Sequence, residues 1–173
     1  MKKSFLFLLI ILTILVTGCG IDYKIVKDHD QFENRDKIYM KFNMLASYKS
    51  NDSNYFFDLY KSVAPDKAEN YFILIRYIGK DWAFIKKGES LVLLVDGQKV
   101  AFSGDGSGAG RTITSAGVVS EVAAYQIDKR EIASLCAAKK IDVRIYGDNY
   151  TSDCYFLPDN FERLNQFYHD YVM

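Results

Sequence analysis

The sequence predicts an α+β fold that is mainly antiparallel β, a twisted sheet or sandwich-like barrel. A short helix is expected near residues 129–139 and a C-terminal helix near 159–171. Three observations carry this reading. Short runs in which apolar and polar residues alternate recur along the chain, which is the period of a half-buried strand. Thirteen Tyr and twelve Phe give a composition that favours pleated surfaces and large buried contacts. Helical spacing with recognisable end signals occurs in two places, both late in the chain.

The first strand is expected over residues 37–48, where Ile38, Met40, Phe42 and Met44 alternate with Tyr39, Lys41 and Asn43. Residues 50–54, Ser-Asn-Asp-Ser-Asn, are turn chemistry. Residues 55–63 fit a strand or a short helix and end at Pro65-Asp66. Residues 71–78 are β-branched and aromatic enough for a central strand, which Gly79-Lys80-Asp81 breaks. Residues 82–85 continue as strand, and Lys86-Lys87-Gly88-Glu89 turns the chain. Residues 90–95 and 99–102 flank Asp96-Gly97, a pair that supplies the positive φ angles of a two-residue hairpin turn. A flexible glycine-rich loop is expected over 103–111, then one long strand over 112–126.

Asp128 opens the first helix, with Glu131 at capping-box spacing and Ile127 and Ile132 in staple positions. Ile132, Leu135, Cys136 and Lys139 follow at helical spacing, which puts Cys136 at or near the core-facing stripe. Residues 141–146 and 150–157 read as a strand pair around Gly147-Asp148-Asn149. Pro158 and Asp159 start the last helix, with Phe161, Leu164, Tyr168 and Tyr171 along one stripe.

The N-terminus carries a different signal. Lys2 and Lys3 precede an apolar run over residues 5–16, broken only by Thr13, in the order of the n-region and h-region of an export signal. The run is shorter than the roughly 20 residues that span a bilayer. It ends in Val16-Thr17-Gly18-Cys19, which resembles the bacterial lipobox: an aliphatic residue and two small residues before a cysteine. The resemblance implies cleavage between Gly18 and Cys19, acyl chains on Cys19, and two or more chains as a stable anchor. It divides the chain into a signal peptide at 1–18, a lipidated N-terminus and tether at 19–36, and one β-rich domain at 37–173. Gly20 stands where an Asp would retain a Gram-negative lipoprotein at the inner membrane, so the implied address is the outer membrane, facing the periplasm.

Without Lys2 and Lys3, 20 basic residues stand against 22 acidic ones, so the mature net charge is −2 and no basic excess points to nucleic acid. With Cys19 given to lipid, Cys136 and Cys154 remain, an even pair in an oxidising compartment. A disulfide between them would add roughly 3 kcal/mol by closing a loop of about 18 residues. Two buried free thiols fit the same residues.

The chemistry-bearing candidates are few. Gly104-Asp105-Gly106-Ser107-Gly108-Ala109 has the outline of a dinucleotide fingerprint, but a β-type stretch follows it where that motif needs a helix. The exposed N–H groups of this loop, with Arg111, could hold an anion. His29 and His169 lie far apart and at no metal-ligand spacing, so no metal, cofactor or catalytic residue is assigned. The remaining candidates form a binding edge: Tyr77, Trp82 and Phe84 around a charged turn, with Arg111 from the glycine loop. Core packing beside a solvated turn explains the same residues and is the preferred reading of them. Residues 82–97 and 132–147, the latter ending Val143-Arg144-Ile145-Tyr146-Gly147, resemble small secreted bacterial proteins of unassigned function, which implies a layout for the last third and no activity.

The expected function is therefore a membrane-anchored envelope domain that binds a protein partner or surface component without catalysis. An envelope hydrolase whose residues converge only in the fold, and a sandwich that binds a small ligand or lipid, are the alternatives.

Overall fold

The computed structural model describes residues 22–49, 53–114 and 117–173. The signal peptide, the cleavage site at Gly18 and Cys19, and most of the turn expected at 50–54 lie outside these residues. The fold is mostly antiparallel β with two helices, one short and mid-chain, one C-terminal. The strands are β1 (Lys24–Asp30), β2 (Arg35–Lys41), β3 (Ala46–Ser47), β4 (Asn54–Val63), β5 (Glu69–Gly79), β6 (Gly88–Val95), β7 (Gln98–Gly104), β8 (Thr112–Ile113), β9 (Val119–Ile127), β10 (Ile141–Tyr146) and β11 (Thr151–Tyr155). The helices are α1 (Lys129–Ala137) and α2 (Pro158–Tyr171). Spatial order is β1-β2-β4-β5-β9-β7-β6-β10-β11-β3, with β8 against β9.

The sheet is not closed, but the link between β2 and β3 draws its two ends together. Asn43 and Leu45 exchange backbone bonds with Phe57 and Tyr55 at the start of β4, and β3 then pairs with β11. The departure from β2 happens at Phe42, whose φ is +70°. The buried Asp58 carboxylate occupies the resulting gap in the ladder and accepts the N–H groups of Asn43 at 2.9 Å and Phe42 at 3.4 Å. Asn160, at the first turn of α2, donates to Asn43 Oδ1 and to the Met44 carbonyl, which ties the helix to the same link.

Alternate residues of the strands point inward and form one apolar cluster. Phe57 and Leu59 of β4, Ile73 and Ile75 of β5, Leu91 and Leu93 of β6, and Val143 and Ile145 of β10 belong to it, with Ile132 and Leu135 of α1 and Leu164 and Phe167 of α2. Full burial of each such side chain contributes roughly 1.5–3 kcal/mol, so this cluster holds the fold. The Asp96-Gly97 hairpin forms as expected, with φ of +49° and +87°. The capping box at Asp128 and Glu131 forms with both bonds at 2.8 Å.

Several expectations need correction. Residues 24–36 are not tether: β1 pairs along its whole length with β2, from Lys24 opposite Lys41 to Asp30 opposite Arg35. Its charged composition is that of an edge strand, half of whose surface meets water. Residues 37–48 split into β2, the bent link and β3. Residues 82–85 are irregular, apart from a single bridge from Ile85 to Gly147. Residues 112–126 form two strands, because the chain folds back between Thr114 and Val118, with Gly117 at φ +75°. The stripe on α2 is centred on Leu164 and Phe167, with Phe161, Tyr168 and Tyr171 half-buried beside them. Cys136 and Cys154 are both free thiols: Cys136 faces α2, with its thiol 3.7 Å from the Leu164 carbonyl, and Cys154 is buried in β11.

Candidate functional site

Glu121 sits near the start of β9, on the inward face shared with Ala123 and Tyr125, and is fully buried. Its carboxylate accepts three consecutive backbone N–H groups, from Ala83 at 2.6 Å, Phe84 at 2.9 Å and Ile85 at 3.1 Å. Ser107, also fully buried, donates its hydroxyl to the same carboxylate. One side chain thus satisfies donors from two loops that no strand ladder pairs. Gly106 completes the fit: its φ is +71°, and a Cβ there would stand 2.7 Å from the Ile85 carbonyl oxygen. The glycine-rich stretch is a fitted segment with one short 3-10 turn at Gly108–Gly110, not the flexible loop expected.

This scaffold displays three of the four residues of the expected binding edge. Phe84 holds φ +54°, a left-handed conformation that costs a non-glycine residue about 1–3 kcal/mol. Its ring lies 6.1 Å from that of Trp82, and the Arg111 guanidinium stacks 4.6 Å from its centroid. Arg111 also donates Nε to Ser107 Oγ at 3.3 Å and lies 3.9 Å from Glu121. Asn149 fixes the approach of the chain by donating to the Trp82 carbonyl at 2.8 Å.

Tyr77 is the fourth residue, and the structure places it in the core, 1% exposed. Its ring packs 5.1 Å from Tyr55, and its hydroxyl donates to the Asp81 carbonyl at 2.7 Å. The Tyr55 hydroxyl meets Ser152 Oγ at 2.7 Å. Burial raises the pKa of both phenols, so both act as neutral hydrogen-bonding groups at ordinary pH. These tyrosines, with Ser53, Asp81, Asn149 and Tyr150, line a half-open pocket of about 530 Å³, and Asn149 is the residue that bonds the Trp82 carbonyl. Platform and pocket together occupy the loop end of the sheet.

A second groove, about 450 Å³, lies on the outer face of β6, β10 and β11. Val92 and Leu94 form its apolar part, and Arg144 bridges to both carboxylate oxygens of Asp153 at 2.6 and 2.9 Å. That hydrogen-bonded pairing holds the Asp153 carboxyl below the usual range.

The histidines stand elsewhere. His29 meets Asp36 at 2.7 Å in the β1–β2 hairpin, and His169 lies 3.4 Å from Asp170 at the end of α2. Among the described residues, no three His, Cys, Asp or Glu side chains gather as a metal site. Sequence reading missed Glu121, Ser107, Tyr55 and Asn149. For Glu121 a signal existed: alternation in Val119-Ser120-Glu121-Val122-Ala123 puts an acid on the inward face.

No known family, no curated protein and no solved structure matches this chain.

Proposed function

We propose that the protein is a membrane-anchored cell-envelope lipoprotein whose β-rich domain binds an envelope protein or surface component through its loop end. Val16-Thr17-Gly18-Cys19, after a basic and then apolar segment, supports the anchor. The observation that carries the binding reading is Phe84: a strained aromatic residue, held by a fully buried glutamate, whose ring faces Trp82 and Arg111 at the surface. Aromatic and arginine side chains on a rigid scaffold are the residues that dominate binding energy in interfaces. Trp82 packs on the edge of the core with part of its surface open, and Phe84 and the Arg111 side chain are partly exposed beside it.

The test places a photo-crosslinking amino acid at position 82 or 111 in the living bacterium, with position 166 on the exposed side of α2 as control, while a fatty-acid probe reports on Cys19. Discrete adducts from 82 and 111 that are absent from 166, on a chain that carries the probe, are the expected result. Adducts independent of position would overturn the binding site. Probe labelling that persists in Cys19→Ala would overturn the anchor.

A further inference from the structure

We propose that the outer face of β1, β2, β4 and β5 rests on the anionic headgroups of the membrane that holds the anchor; this rests on the lipoprotein reading of Cys19. Lys24, at the start of β1, is only five positions beyond Cys19, a reach of about 17 Å fully extended. The strand after the anchor is itself the edge of the sheet, so the domain cannot stand far from the bilayer, and some face of it must lie near the headgroups.

Charge selects the face. Lys24 and Lys41 are directly opposite each other across β1 and β2, a like-charge pair that costs stability unless something neutralises it. Among the described residues, neither has a carboxylate within ion-pair distance. Lys41 and Arg76 both lie over the Phe42 ring, at 5.1 and 5.8 Å, so three cations gather at the end of β1 where the anchor enters. Asp58 offsets part of the charge of Arg76 and, more weakly, of Lys41, so Lys24 is the least compensated of the three, and Asp22 is exposed nearby in the chain. The acids of this hairpin, Asp28, Asp30, Glu33 and Asp36, lie towards its other end, where Asp30 is paired with Lys37 at 2.7 Å and Glu33 with Arg35 at 3.4 Å.

Apolar surface continues the same face. Val26 and Tyr39 follow Lys24 and Lys41 two residues along their strands, and Tyr39 stacks on Tyr60 at 5.9 Å, which meets Phe72 at 6.0 Å. These rings are partly exposed, and they point away from the core that α1 and α2 cover. Lysines around a row of tyrosine and phenylalanine rings match the headgroup level of a bilayer, where amphipathic rings and basic side chains both settle.

The test uses the acylated full-length protein in vesicles of phosphatidylcholine and phosphatidylglycerol with brominated acyl chains. Trp82→Phe removes the only tryptophan, and a new one is placed by Tyr39→Trp or, as contrast, by Leu94→Trp on β6, with four strands between them in the sheet. The indole at position 39 should be quenched and the one at 94 spared. Adding Lys24→Gln and Lys41→Gln should weaken the docked state about thirtyfold, at ~1 kcal/mol per lysine. Equal quenching at both positions, or none at 39 on protein whose acyl mass is confirmed, overturns the docking face alone. Absence of acyl mass overturns the anchor and the docking face together. Should Tyr39→Trp not fold, hydrogen exchange in residues 37–42 of the native chain reads the same contact. Protection on anionic vesicles that high salt removes supports it, and exchange unchanged by the vesicles overturns it.

Discussion

Glu121 shows how much a single side chain organises at the residue scale. Three backbone N–H groups and the Ser107 hydroxyl end on its carboxylate, and the donors on Ala83, Ile85 and Ser107 are buried with it, so they have no water as an alternative. An orphaned buried donor costs about 1–3 kcal/mol. Glu121→Ala should therefore lower unfolding free energy by about 3 kcal/mol or more, and Glu121→Gln by less, since one oxygen still accepts. Denaturant unfolding of both variants measures this. The more specific outcome is local: near-ultraviolet dichroism of the lone Trp82 should change in Glu121→Gln even where the global fold persists. An unchanged Trp82 signal in a destabilised protein would mean that Glu121 does not hold the platform. The residue was legible in part, since alternation along β9 puts it on the inward face. Its partners were not, because Ala83, Phe84 and Ile85 lie 36–38 positions away and nothing local announces them.

Elements whose signals are local chemistry could be read directly. Asp96-Gly97 made its hairpin, Asp128 with Glu131 made its cap, and β10 and β11 alternate cleanly because one face is core and the other water. β1 escaped notice for the opposite reason: an edge strand carrying lysine and aspartate has no clean alternation. The β8–β9 hairpin was missed although Gly117 marks its turn, since β-type residues on both sides read as one strand. The cysteines belong at this scale too, because spacing says nothing about which elements bring them near each other. Cys136 packs between the helices and Cys154 inside β11, and burial pushes their thiols up to about 11 and about 12. Little reactive thiolate exists at neutral pH, so a native sample should alkylate slowly. After denaturation without reductant, both should react at once, as counted by mass spectrometry. Labelling that needs reductant would show a disulfide instead.

For the whole molecule, one buried carboxylate and several paired surface carboxylates set opposing limits on stability with pH. Burial raises Asp58 from 3.8 to about 6, against the lowering influence of the Asn43 and Phe42 N–H groups, Arg76 and Lys41. Between these values the folded chain keeps a proton that the unfolded chain has released. Stability therefore falls as pH climbs through this window and stays lost above it, by about 3 kcal/mol for a shift of this size. Glu69 acts in the other direction. Hydrogen bonds from Lys129, Lys61 and Tyr71 lower it from 4.5 to about 2, so its contribution is present above 4.5 and disappears as pH falls towards 2. Asp30 and Asp153, each lowered by a basic partner, add to that acid limb. Asp58→Asn separates the two limits. The asparagine can still accept the Asn43 N–H, so the bend after β2 should survive, while the titrating proton is gone. Urea midpoints taken from pH 3 to 8 should show the variant losing less stability than the parent between about pH 4 and 6, with the same loss below 4. Parallel profiles for the two proteins would mean that Asp58 is ionised in the fold throughout, and that its neighbours outweigh its burial.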